Sequence, residues 1–560
     1  MKKSILDNPR QCLCSGAGTT LALDNAVAAP AVLTNSRINP DTGQGELGFI
    51  PHLVQRGTGP HILEWGYATD SRWDTIYSNL DIKKEGATIS NTGGVEKFGI
   101  NVRWNVEGFG YTFITADNGG EFYTLPSKGK TASLNLNFEL AKSRVARNIS
   151  RKNKFKSDGW IPSREVESFL DLSEELYRDA ENSKNGEMKR AELSQKSLYY
   201  ALWGGEMMEL DKVNFDIRRI GYRPDFFVGC DARAFYQMYQ DTFLELFTEI
   251  FNYAMITYVT TGDGMMSDFE PVEGKRNFGT RDVLFRTLRE RDVTVQGRTI
   301  FWFHTWVTPD WLKNKSYDEL RKYVENHTRE VIAHYPEGMY GWEIFNEFHD
   351  WANEVQVTPD QAVELVRLAC DVARDTNPNV KRIINNCCPY AEYVHMGEWS
   401  GQEARYPQRT PWQFTKDLVD AGVDFNVLGQ QMYFPYRDLQ DIFIMLERME
   451  EFGKTVQLSE IGTPGGVTEY SIKTGRSTFH QEPPAWRRPW DEENHADWLE
   501  ALYLYGYSRK AIEGVHWFDF VDPYSYQENG GLLRSPGGEK KAAYHRLEAI
   551  QNHWKNLSTK

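Results

Sequence analysis

The sequence predicts an α/β protein, a (β/α)8 (TIM) barrel preceded by an N-terminal β-sandwich and a helical connector. Three observations carry this. Beyond residue 212 a short apolar strand, a polar loop and an amphipathic helix recur, and eight candidate strands can be placed. From about Val32 to Ala146 the chain alternates in period two and turns often on Gly, Asn and Asp. The Gly-rich phosphate loop expected after the first strand of an open doubly wound sheet is missing, so closure into a barrel is favoured.

The 560 residues suggest more than one unit. Residues 1–30 read as a tail and residues 31–150 as the sandwich. In the latter, Ile100, Val102, Trp104 and Val106 alternate with polar neighbours, as do Leu134, Leu136, Phe138 and Leu140. A basic stretch from Ser143 to Lys156 leads out. Residues 151–212 read as the connector. There Ser163 caps a helix carrying Val166, Phe169, Leu170, Leu172 and Leu176, and a second amphipathic run covers Ala191 to Met208. Residues 213–560 form the barrel. Its strands are expected at Phe226–Cys230, Tyr253–Tyr258, Thr299–Thr305, Gly341–Asn346, Arg382–Asn386, Phe425–Tyr433, Thr455–Glu460 and Val515–Phe520. Helix starts between them are explicit: Ser316 with Glu319 is a capping box, and Thr358-Pro359-Asp360-Gln361 joins a cap to a Pro at N1.

Composition excludes several classes. A formal charge of -15 argues against nucleic acid and anionic membranes as partners, because phosphate binding needs clustered Lys and Arg. No run of eighteen apolar residues exists to span a bilayer. The opening MKKSILDNPRQCLCSG has lysines but no apolar core, so an intact secretory signal is not expected. The six cysteines form no Cys-x-x-Cys pair and no zinc spacing, and read as buried apolar residues plus a tail pair. Oligomeric state is not encoded in any such pattern.

Barrel active sites lie at the C-terminal strand ends, and two strands end in an acid. Strand four reads Gly341-Trp342-Glu343-Ile344-Phe345-Asn346-Glu347, and strand seven Val456-Gln457-Leu458-Ser459-Glu460. Simple alternation puts Glu343, Phe345 and Glu347 on one face, with Glu347 outermost. An acid at the mouth of an apolar strand is costly unless paired or used. Two acids across one cleft suit glycoside hydrolysis. One must hold a proton for the leaving oxygen and the other must be ionised to attack the anomeric carbon, a split that like-charge repulsion promotes. This chemistry needs no metal and no cofactor.

The segment from about Tyr222 to Trp554 resembles glycoside hydrolase family 10, the β-1,4-xylanase family. The matching stretches, in order, are Phe251-Asn252-Tyr253-Ala254, Glu270-Pro271-Val272-Glu273-Gly274, Gly297-Arg298-Thr299-Ile300-Phe301-Trp302 and Pro309-Asp310-Trp311. They continue with Asn346-Glu347, Leu428-Gly429-Gln430-Gln431-Met432-Tyr433, Leu458-Ser459-Glu460, Trp517-Phe518-Asp519-Phe520-Val521-Asp522, Gly531-Leu532-Leu533 and Lys541-Ala542-Ala543-Tyr544. The resemblance implies a retaining, endo-1,4-β-xylanase-like hydrolase with a polysaccharide or oligosaccharide substrate, and it implies secretion. It makes Glu347 the acid/base, Glu460 the nucleophile and Asn346 the partner of a sugar 2-hydroxyl. Trp302 and Trp517 would wall the subsite of the distorted sugar, and Gln431 would line the cleft.

Departures are equally specific. The family's Asn and Lys after strand two have no counterpart in Thr260-Thr261-Gly262-Asp263-Gly264-Met265-Met266. Arg298 replaces its strand-three histidine, and Tyr433 replaces the histidine that bonds the nucleophile. His304 is a further candidate for the cleft. The loop from Gly462 to His495 offers Trp486, Arg487, Arg488 and Trp490 either to sugar hydroxyls or to a solvated turn cluster. Gly262-Asp263-Gly264 with Asp268 lacks the ligand spacing of a calcium loop and reads as a plain loop. In the sandwich, Trp65, Trp73, Trp104, Tyr111, Phe113 and Tyr123 are either core or the face of a carbohydrate-binding module. A non-catalytic glycan-binding barrel and a related glycosidase acting on another β-glycan remain the alternatives.

Overall fold

The computed structural model describes residues 44–54, 66–262, 268–399, 402–433, 436–466, 485–523 and 525–557. A closed barrel of eight parallel strands forms its larger part. In chain order they are Phe227–Asp231, Tyr253–Thr257, Thr294–Arg298, Met339–Asn346, Lys381–Asn386, Val427–Tyr433, Thr455–Gly462 and Ile512–Trp517. The last pairs with the first, Trp517 opposite Cys230, so no edge is left open.

Two strands lie earlier than the sequence pattern places them. The third is Thr294–Arg298 rather than Thr299–Thr305. Its inward residues Gln296 and Arg298 are polar, which hides the strand in an apolar pattern; inside the barrel Gln296 Oε1 accepts from Tyr253 and Arg298 donates to Glu460. The alternation in 299–305 is real but belongs to an extended segment beyond the barrel, where Phe301 and Phe303 bridge to Phe345 and Asn353. The eighth strand ends at Trp517, not Phe520. Both expected capping boxes are present, and Thr410 with Gln413 forms a third.

Two sheets build the N-terminal region. One runs Asp81–Lys83, Gly86–Ile89, Glu46–Ile50, Thr131–Asn135, its last pair parallel. The other has Gly99–Val106 and Gly110–Ala116 at its centre. The expected strand through Leu134–Leu140 stops at Asn135, whose side chain caps the helix Leu136–Ser157 by accepting the N–H of Phe138. Leu136 and Leu140 sit four apart and are buried, a spacing that also serves a helix face. That helix and the helix Gly186–Ile220 run unbroken through residues 150 and 212, where the sequence suggests boundaries. Helix Arg164–Glu181 starts at its Ser163 cap as expected.

The N-terminal region is fastened to the barrel at the end where the catalytic acids are expected. Phe113 N–H donates to the carbonyl of Tyr436, beyond strand six, at 2.9 Å. Arg144 and Asp438 form a buried two-point ion pair. Trp486, from the connection after strand seven, pairs with Gly110 and so extends the second sheet. Glu206, fully buried, gathers this junction by accepting from Leu439 N, Trp486 Nε1 and Arg487 Nε, each at 2.8 Å. Among the described residues no helix is long and apolar enough to cross a membrane.

Candidate active site

Strand four is not a regular ladder. Its register against strand five shifts between Glu343 and Phe345, so Ile344 is an extra residue. The shift turns Phe345 outward onto Phe301, Phe303 and Phe348, while Glu343 and Asn346 point inward. Glu347 then adopts φ 58°, a left-handed conformation uncommon outside glycine. Its N–H donates to the carbonyl of Asn385 at 2.8 Å. The acid thus reaches the cleft through a bulge and a turn, not by the unbroken alternation expected of the strand.

Glu347 and Glu460 meet across Gln431. The Gln431 Nε2 lies 2.9 Å from Glu347 Oε1, 3.0 Å from Glu460 Oε1 and 3.2 Å from Asn346 Oδ1. Two oxygens bonded to one nitrogen can be no more than about 5.9 Å apart. Trp302 Nε1 donates to the other Glu347 oxygen at 2.8 Å. Burial, then the charge of Glu460, raises Glu347 to about 7 against the opposing bonds from Gln431 and Trp302.

Glu460 is held as an anion would be. Its Oε1 accepts from Arg298 Nε and Nη2 at 3.1 and 2.9 Å, from Asn385 Nδ2 at 2.9 Å and from Gln431. Its Oε2 accepts from the Tyr433 hydroxyl at 2.8 Å. Burial disfavours the charge of Arg298, but Glu460, Glu343 and Asp231 outweigh it and raise its pKa. Glu343 lies beneath, 3.1 Å from Asn385 Nδ2, and burial drives its pKa well up.

Two expected residues fall elsewhere. Trp517 is fully buried, gives its indole N–H to the carbonyl of Gly530 and packs on His495 and Trp498, so it faces the core and not a sugar. His304 is 2% exposed, stacks on Trp302 with centroids 5.0 Å apart, and is lowered by burial to about 3; it supports that ring as a neutral imidazole. Phe518 and Tyr526 stand beside Tyr433 instead, with Arg298 over the Phe518 ring at 4.9 Å.

The family profile of Glycosyl hydrolase family 10 matches residues 237–550. The chain belongs to glycosyl hydrolase family 10. It is 23% identical over 260 residues to a beta-1,4-xylanase of Dictyoglomus thermophilum, and 24% identical over 285 residues to endo-1,4-beta-xylanase A of Phanerodontia chrysosporium. Those matches cover 45% and 49% of this chain and 66% and 61% of the relatives. Among solved structures it is similar to native xylanase 10B from Thermotoga maritima, with TM-score 0.45 and 17% identity over 59% of this chain and 96% of that one.

Asn385 is the site residue that the family 10 motifs did not single out. It donates to Glu460, Glu343 and Asn346 within 3.1 Å, and Ser459 in turn donates to its Oδ1. The available signal was Asn385-Asn386 closing the apolar Ile383-Ile384. Asp231 and Arg233 were missed as well: Asp231 is 3.4 Å from Arg298, and Arg233 pairs with Asp519 at 2.8 Å.

Several peripheral candidates are packed into the fold. Trp486 and Trp490 are buried, and Arg487 lies over Trp486 while paired to Glu206. In the N-terminal region Trp104, Phe113 and Tyr123 are core, Trp104 bonding Gln195, while Trp73 and Tyr111 are partly exposed. Trp65, Asp263 and Gly264 lie outside the described residues. Asp268 closes its loop by accepting the N–H of Gly262.

Proposed function

We propose that this family 10 member is a retaining glycoside hydrolase acting on a β-linked polysaccharide or oligosaccharide, endo-1,4-β-xylanase-like in its cleavage. The observation that carries the reading is the single Gln431 nitrogen bonded to both carboxylates. It caps the distance between their Oε1 atoms at about 5.9 Å, which supports the about 5–5.5 Å spacing of double displacement over the about 6.5–9.5 Å that admits a water for inversion.

Glu347, raised to about 7 by burial, carries the proton for the glycosidic oxygen. Glu460 attacks the anomeric carbon as the leaving alcohol departs. Among the described residues its Oε1 is occupied by four donor atoms and its Oε2 by Tyr433 alone, so Oε2 is the attacking oxygen. Glu347, now ionised, takes a proton from water as that water's oxygen displaces Glu460 from the sugar. Asn346 has a buried Nδ2 without a partner among the described residues, which supports a bond to a sugar hydroxyl. Trp302, half-buried beside Glu347, supports stacking on the sugar's C–H face.

The test is a panel of xylans and other β-glycans with product sizes and anomeric configuration recorded, run beside Glu460→Gln. Xylo-oligosaccharides released with retention, and lost by several orders of magnitude in the variant, are expected. Hydrolysis of another β-glycan alone would move the substrate, and inversion would overturn the mechanism. Binding without turnover, unaltered in Glu460→Gln, would favour the non-catalytic alternative.

A further inference from the structure

Two adjacent cysteines follow strand five, and neither the barrel nor the hydrolytic chemistry calls for them. Neighbouring side chains of an extended segment point to opposite sides, yet the Sγ atoms of Cys387 and Cys388 lie 3.1 Å apart. Cys388 has φ 46°, and this left-handed turn brings the two thiols onto one side. At this distance either thiol can donate its hydrogen to the other sulfur. His349 Nε2 accepts the N–H of Cys387 at 3.3 Å and lies 3.4 Å from its sulfur. Burial lowers this histidine to about 3, so its lone pair, not a positive charge, faces Cys387.

The pair touches the site from two directions. Trp351, Ala391 and Tyr393 enclose it, and Trp302, which bonds Glu347, packs on the same cluster. Cys388 lines a recess with Gln431 and Tyr433, both bonded to Glu460. One residue separates Cys387 from Asn385, whose carbonyl holds the N–H of Glu347 and whose amide holds Glu460.

We propose that Cys387 and Cys388 are a redox-modification site, a vicinal dithiol that a hydroperoxide converts to a disulfide, loosening the hold on both carboxylates. The sulfur of Cys388, a residue that lines the recess, attacks the terminal peroxide oxygen. The O–O bond breaks, and the thiol proton leaves with the departing oxygen, as water when the oxidant is hydrogen peroxide. The Cys387 sulfur then attacks the resulting sulfenic acid, the S–O bond breaks, and its proton departs in a second water. The two thiols lose two electrons and the peroxide gains them.

Adjacent Cα atoms are only about 3.8 Å apart, closer than the about 4.4–6.8 Å of ordinary disulfides. Bringing the sulfurs to about 2.05 Å therefore has to twist the backbone next to Asn385. A displacement on the order of 1 Å at a catalytic group can cost about 10²-fold in rate.

The experiment treats the reduced full-length chain with hydrogen peroxide, blocks residual thiols with iodoacetamide and weighs the peptide spanning 387–388. That peptide is expected unalkylated and lighter by two hydrogens, with hydrolysis down about tenfold or more, and dithiothreitol restoring both. Cys388→Ser under the same treatment keeps its own untreated rate. Two alkylated cysteines, or sulfinic and sulfonic products only, would overturn the dithiol. A disulfide formed without loss of rate would overturn its link to the site. Only the rate arm rests on the hydrolase reading; the mass arm decides the dithiol even for a chain that hydrolyses nothing.

Discussion

Replacing Trp302 by Phe keeps an aromatic ring at the cleft but removes the N–H that bonds Glu347 Oε2 at 2.8 Å. That bond favours the ionised carboxylate and so opposes burial and the Glu460 charge, which together place Glu347 at about 7. A hydrogen bond to a charged group contributes about 1.5–3 kcal/mol. The protonated acid retains part of that contact, and Trp302 is only half-buried, so the lower end applies to the difference between the two forms. At about 1.36 kcal/mol per unit, Glu347 should rise by about one unit. The acid works only when protonated. Wild-type kcat/KM should therefore fall as pH rises through about 7, and that of the variant through about 8. The assay is kcat/KM against pH on an unactivated oligosaccharide, whose leaving oxygen needs the proton. An alkaline limb that stays in place, or moves to lower pH, would refute the account of what sets this acid.

The same raised pKa has a consequence for stability. Glu347 titrates at about 4.3 in an unfolded chain and about 7 in the fold, so the stability of its neutral form is complete below the first value and lost as pH rises toward the second. Glu347→Gln should thus be more stable than wild type by about 4 kcal/mol at pH 8 and nearly equal at pH 4, read from urea midpoints; an equal difference at both pH values would count against it. Glu206→Ala should cost about 3–5 kcal/mol, because it strands Trp486 Nε1, Arg487 and the N–H of Leu439 at a buried junction. A loss below about 1 kcal/mol in denaturant melts would mean that this junction does not hold the N-terminal region.

The sequence by itself determined the repeating strand–helix unit, the caps that start its helices and the two acids at strand ends, because these are local signals. Apolar period, capping side chains and a terminal Glu can each be read within about ten residues. Barrel strands with apolar interiors, such as Tyr253–Thr257, were legible for that reason. Thr294–Arg298 was not, since Gln296 and Arg298 become acceptable inside only through Tyr253 and Glu460, which are distant in the chain. Tertiary structure alone decided how Glu347 faces Glu460: the register shift at Ile344 and the turn at Glu347 reset the side-chain alternation. It also chose Asn385 as the common partner of three side chains, and sent Trp517 to the core. Which way an aromatic or an amide points depends on what fills the space around it, and that space is assembled from strands distant in the chain, as Arg298 and Glu460 are at 162 residues apart.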